Sequence, residues 1–111
     1  MLRETPALSR VRPMATPLEL QRTEEGHRGA WFSESGGERV AEMTFTRVNP
    51  GLVIIDHTEV ADSLKGQGAG RQLLDAAVKW ARETKTKFIP VCPYAKAQFD
   101  KDPSIRDVLS T

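Results

Sequence analysis

Three glycines spaced two apart, Gly66, Gly68 and Gly70, stand in the stretch Lys65-Gly66-Gln67-Gly68-Ala69-Gly70-Arg71. Glycine removes side chains where a ligand's oxygen atoms would touch backbone N–H groups. The first turn of a helix has such groups unpaired and partly positive. The chemistry on offer is the holding of a phosphate or diphosphate, although glycine is also a plain turn residue. The second distinctive residue is Cys92, the one cysteine of the chain, followed by Pro93. Proline suits the first position of a helix, which makes Cys92 the cap residue and turns its sulfur towards a helix N-terminus, an environment that favours thiolate. A small buried hydrophobe is the other use of a lone cysteine.

These residues need a strand, a helix and a second strand to place them. Leu52-Val53-Ile54-Ile55 continues through His57-Thr58-Glu59-Val60 and reads as a strand, apolar enough at its start to be buried on both faces. After the glycines, Leu73, Leu74, Ala77, Val78 and Ala81 recur at helical spacing from Gln72 to about Thr84. Phe88 to Cys92 is a short strand that a right-handed crossover lays parallel to the earlier one, and Pro90 suggests that one side of it is unpaired. A helix from Pro93 to about Lys101 and a last turn or two over Ser104 to Leu109 follow. Upstream, Leu18 to Thr23, His27 to Glu34 and Arg39 to Arg47 read as three antiparallel strands. Their turns are Glu24-Glu25-Gly26, Ser35-Gly36-Gly37 and, before Leu52, Asn49-Pro50-Gly51. The strand Leu52 to Val60 therefore sits mid-sheet. Residues 1–17, with Pro6, Pro13 and Pro17 and no apolar period, read as a poorly ordered arm before a single domain over 18–111. Met14 offers an alternative start.

A chain of 111 residues is long enough for one core and too short for a separate cofactor domain. A net charge of +1 gives no bulk basic field for nucleic acid, and no apolar run is long enough for a membrane span. The single cysteine forms no internal disulfide and no signal peptide is evident, so a reducing, cytoplasmic setting is expected. A nucleoside-triphosphate loop needs a lysine and a hydroxyl after its last glycine, which this chain lacks. A dinucleotide fold needs Gly-x-Gly-x-x-Gly after a first parallel strand, which it also lacks.

The order of four strands, glycine turn, helix, strand and helix, with Lys65-x-x-Gly68-x-Gly70, resembles the GCN5-related N-acetyltransferase family over roughly residues 18–109. His57-Thr58-Glu59-Val60 before the glycine turn and Cys92-Pro93 after the next strand make it most similar to the small YidJ-like minimal acetyltransferases. The resemblance implies an α+β fold: a meander of about four strands, a crossover helix, a fifth strand parallel to the fourth with a V-shaped cleft between them, and short C-terminal helices. It implies acetyl-coenzyme A as cosubstrate, with its diphosphate on Gly66 to Arg71. The N–H groups of Gln67, Gly68, Ala69, Gly70 and Arg71 are the expected donors, and Val60 and Ala61 form part of the edge along the pantetheine arm. Lys65 stands where the family has Gln or Arg, which keeps the charge and loses the planar fork.

Acetyl transfer to an amine requires a neutral amine, a donor to the oxyanion, and something to receive or protonate the leaving thiolate. Glu59, at the end of the fourth strand, is the expected base, against a solvated or merely amine-positioning carboxylate. His57, two residues earlier on the same face, ranks below it as a structural histidine. Cys92 is expected to act either as acid towards the leaving coenzyme A or as nucleophile, and Tyr94 to pack over the cleft as a secondary candidate acid. No metal is expected. Lacking the family's N-terminal helices, the chain should have an open acceptor site suited to an extended or macromolecular amine such as a protein lysine or N-terminus. The alternative is a coenzyme A-binding module without turnover.

Overall fold

The computed structural model describes residues 18–110, so the expected arm over residues 1–17 lies outside the described part. Five strands form one sheet in sequence order: β1 (Gln21–Glu25), β2 (Arg28–Ser35), β3 (Glu38–Asn49), β4 (Leu52–Val60) and β5 (Lys87–Pro90). The first four are antiparallel neighbours and β5 runs parallel to β4. Between β4 and β5 lie a 3-10 turn (Asp62–Leu64) and helix α1 (Ala69–Thr84). Helix α2 (Pro93–Lys101) and a 3-10 segment (Pro103–Val108) complete the chain.

Leu73, Leu74, Ala77, Val78 and Ala81 of α1 are buried and share a core with Met43, Phe45, Val53, Ile55 and Phe88 of the sheet. The helical spacing read in the sequence is thus the packing stripe. Ala95 and Phe99 of α2 and Ile105 and Val108 of the last segment extend this core.

The first strand differs from expectation. Leu18 and Leu20 pack against the core from irregular chain, while the strand takes in Glu24 and Glu25 and turns at Gly26 (φ +64°). Its polar residues are held from the sides: Arg22 lies 4.3 Å from the Trp80 ring centroid, and Glu24 accepts from Nε of Arg47 at 2.5 Å. The start of β4 is also less symmetric than expected, for Val53 and Ile55 are fully buried whereas Leu52 and Ile54 are only partly so. β5 ends at Pro90 instead of Cys92, because the Val91 and Cys92 N–H groups both donate to Ile55 O, at 3.1 and 3.0 Å, and halt the ladder.

A bulge in β4 does most to shape the site. Phe45 lies opposite Ile55 but the preceding residue, Thr44, lies opposite His57, so Asp56 is the extra residue. The bulge inverts the alternation. Val53 and Ile55 face the helices before it, and Thr58 and Val60, opposite Met43 and Ala41, face them after it. His57 and Glu59 consequently lie on the other face.

Candidate functional site

Beyond Ile55, β4 has β3 on one side and, among the described residues, no paired strand on the other, since β5 pairs only with Leu52 to Ile55. This is the expected V-shaped opening. The Ala61 N–H donates to Val40 O at 2.8 Å, and because antiparallel ladder bonds alternate, the backbone groups of Thr58 and Val60 turn towards the opening. Ala61 is fully engaged instead, its carbonyl accepting from Leu64 N–H at 2.9 Å.

Two cavities meet at this edge and share Thr58, Val60 and Lys65. One, of about 420 Å³, is closed by Leu64, Gly66, Gly68, Ala69, Gly70 and Tyr94. The other, of about 550 Å³, is bounded by Arg39, Val40, Ala41, Glu42, Glu59, Ala61 and Asp62.

Gly66 and Gly68 have φ of +78° and +79°, and a Cβ on either would stand in open space. Their conformation is one that other residues resist, and the space beside them is free for a ligand. Among the described residues, the N–H groups of Gly66, Gly68, Ala69, Gly70 and Arg71 have no hydrogen-bond partner in the protein, while that of Gln67 is bonded to Leu64 O at 3.3 Å. Gly68 caps α1 in the left-handed region, so these free donors lie at a helix N-terminus where anionic oxygens are favoured. The third glycine serves packing, for a Cβ on Gly70 would lie 2.9 Å from Cζ of Tyr94.

The charged side chains flanking the loop are less free than their types suggest. Lys65 is exposed and pairs with Asp62 at 3.1 Å. The Arg71 guanidinium reaches Asp75 at 2.8 Å, Gln98 at 3.1 Å and the Asp102 carboxylate. The hydrogen bonds to Asp102 and then Asp75 raise the arginine's pKa, and the Arg71 contact is the main cause that holds the Asp102 carboxyl at about 2. Arg71 therefore ties α1 to the end of α2, while its backbone N–H faces the loop without a partner among the described residues.

Cys92 is the N-cap of α2, as its place before Pro93 requires, and is 2% exposed. Its sulfur makes no capping bond. It lies 3.2 Å from Oγ1 of Thr58 instead. Tyr94, which lines the glycine-lined cavity from the first turn of α2, has its pKa raised, first by burial, against the opposing effect of Arg71. Its phenol accordingly stays protonated at neutral pH and can donate.

Glu59 is 69% exposed on the other face, with Oε2 3.6 Å from Nε2 of His57. Glu42 lies opposite it and is bound by Arg39 at 3.2 Å. One ligand atom from each of Glu42, His57 and Glu59 falls within 4.8 Å of the others, a spacing that could hold a cation. Glu59 and Cys92 thus flank the opening from opposite faces of β4. Sequence reasoning missed Thr58, Glu42 and the packing role of Gly70. Thr58 becomes visible from its position two residues before Val60 once the bulge is known.

Residues 30–108 match the family described as GCN5-related N-acetyl-transferase. The chain belongs to the GCN5-related N-acetyltransferase family. The fold of this acetyltransferase is similar to the NMR structure of a GCN5-like putative N-acetyltransferase from Staphylococcus aureus, at 35% identity and a TM-score of 0.64 over 82% of this chain and 88% of that one. It also resembles a ribosomal-protein-alanine N-acetyltransferase from Brucella melitensis biovar Abortus 2308 (22% identity, TM-score 0.51, 60% of this chain and 51% of that one). An aminoglycoside acetyltransferase from an uncultured soil metagenomic sample, in complex with trehalose, is a third (12% identity, TM-score 0.53, 100% of this chain and 70% of that one). The last two likenesses are of fold alone. No curated protein matches the chain.

Proposed function

We propose that this acetyltransferase takes its acetyl group from acetyl-coenzyme A and delivers it to an amine on an extended or macromolecular acceptor, such as a protein lysine or N-terminus. The observation that carries the reading is the set of unpartnered N–H groups at Gly66 and Gly68 to Arg71, beside a cavity that opens onto the unpaired edge of β4. These donors fit a diphosphate, and the Thr58 and Val60 backbone fits the amides of a pantetheine arm. Acetyl-coenzyme A supplies the thioester. The chain's own residues hold it and handle the protons.

Glu59, exposed beside the wider cavity, accepts the proton of the incoming amine directly or through a water. Its carboxylate and that of Glu42 favour the approach of a cationic acceptor. On the helix side, Tyr94 is a proton donor for a departing thiolate, and Cys92 either shares that role or takes the acetyl group before the amine arrives. The larger volume of the wider cavity, about 550 Å³ between β3, β4 and the 3-10 turn, with the exposed Glu59 beside it, is what favours an extended acceptor.

Incubation with acetyl-coenzyme A and a lysine-bearing peptide, read by mass spectrometry, tests the reading. Acetylated peptide from wild type, with yields reduced at least about tenfold in Cys92→Ala and Glu59→Gln, is expected. Acetyl trapped on Cys92 in the absence of acceptor would select the nucleophile role. Coenzyme binding without transfer to peptide or small amines would contradict the proposal.

A further inference from the structure

We propose that Thr58 is the positioning residue of the Cys92 thiol, holding the buried sulfur beside the edge where the two cavities meet and donating to it when it is charged. The inference rests on the reading that Cys92 takes part in transfer. Cys92 occupies a helix cap without capping the helix, and the Thr58 hydroxyl, 3.2 Å away, is its hydrogen-bond partner among the described residues. A hydroxyl has one proton to give and lone pairs to accept with, so it can receive the S–H of the thiol or donate to the thiolate. The second bond is charge-assisted and the stronger, so loss of the hydroxyl weakens the hold on a charged sulfur most.

The surroundings make this more than a chance contact. Thr58 follows the β4 bulge, which is what turns its side chain to the helix face. It is β-branched, so its side chain has few rotamers and holds the sulfur in one direction. Thr58 lines both cavities, and the buried sulfur lies directly behind it, 3.2 Å from its hydroxyl. The ionisable groups near Cys92 do not replace this role. Tyr94 of α2 is protonated, Arg71 and Asp75 of α1 are paired with each other, and His57 and Glu59 of β4 lie on the opposite face.

The test compares wild type with Thr58→Val, which keeps the shape, and Thr58→Ser, which keeps the hydroxyl. Because the chain has a single cysteine, ultraviolet thiolate absorbance referenced to Cys92→Ala follows this sulfur alone as pH is varied. In Thr58→Val the thiolate signal is expected to move to higher pH and kcat to fall about tenfold, the KM for acetyl-coenzyme A staying within about twofold, with Thr58→Ser restoring most of both. A wild-type thiolate profile in Thr58→Val, or a serine variant as impaired as the valine one, would overturn the proposal. Should the valine variant fail to fold, Thr58→Ala replaces it with the same expectations. A displaced thiolate profile alongside full activity in Cys92→Ala would instead uphold the positioning contact and refute the role of Cys92 in transfer.

Discussion

Gly68 and Gly70 illustrate how one residue type serves two ends within three positions. Gly68 needs a positive φ and faces open space, whereas Gly70 is bare because Tyr94 lies against it. Replacing Gly68 with valine puts a branched side chain into the proposed diphosphate cradle and adds roughly 1–2 kcal/mol of left-handed strain. Calorimetry should then detect no acetyl-coenzyme A binding to a protein that still unfolds cooperatively; unchanged affinity would remove the cradle from the account. Tyr94 supplies a pH prediction. Burial raises its pKa above the ordinary 10.0, so burial of the neutral phenol favours the fold fully below that value, and the benefit is lost as pH rises through the raised one. If the phenol is the proton donor, activity should decline on the alkaline side only beyond about pH 10, and Tyr94→Phe should lower kcat by at least about tenfold while the Tm stays close to wild type. A phenylalanine variant with full kcat would leave Tyr94 a packing residue.

The elements are joined by a few close fits, and each can be strained. A Cβ on Gly29 of β2 would lie 2.3 Å from Cζ of Phe45 and 2.4 Å from the Thr23 carbonyl oxygen. Gly29→Ala should therefore cost about 1–3 kcal/mol, read as a lower Tm, because backbone on one side leaves little room to yield. Arg71 and Asp102 join α1 to the end of α2. With the Asp102 carboxyl held at about 2 against an ordinary 3.8, their contribution is complete above 3.8 and is lost as pH falls through about 2. Arg71→Met should thus have a lower Tm than wild type at about pH 5 and a matching one near pH 2. A difference that persists into acid would assign the loss to packing of the arginine stem. The periodic elements were legible in the sequence: β4 and α2 have the expected bounds, and the apolar stripe of α1 is its buried face. β1 was obscured because an edge strand built from Arg22, Glu24 and Glu25 has charge where alternation would signal a strand, its inward residues being satisfied by Trp80 and Arg47. The bulge at Asp56 was hidden because an extra residue leaves no mark in composition.

Across the whole molecule, the sheet separates the two halves of the proposed site. The glycine loop, Cys92 and Tyr94 lie on its helix side, while Glu42, His57 and Glu59 lie on the other. The parts on each side of the cleft and the family that uses them were legible in the sequence, but the face of β4 that carries Glu59 was not, since only the three-dimensional bulge shows how the residues of β4 beyond Asp56 divide between the two faces. Transfer in this arrangement must pass through the opening between β4 and β5, where both faces are reachable. No helix among the described residues is long and apolar enough to cross a membrane. The most direct test of the central claim is an amide chemical-shift map of the protein titrated with acetyl-coenzyme A. The largest shifts should fall on Gly66, Gly68, Ala69, Gly70 and Arg71, with a second set at Thr58 and Val60. Shifts centred instead on the cavity around Thr23, Arg28 and Asp56, or none at all, would contradict it.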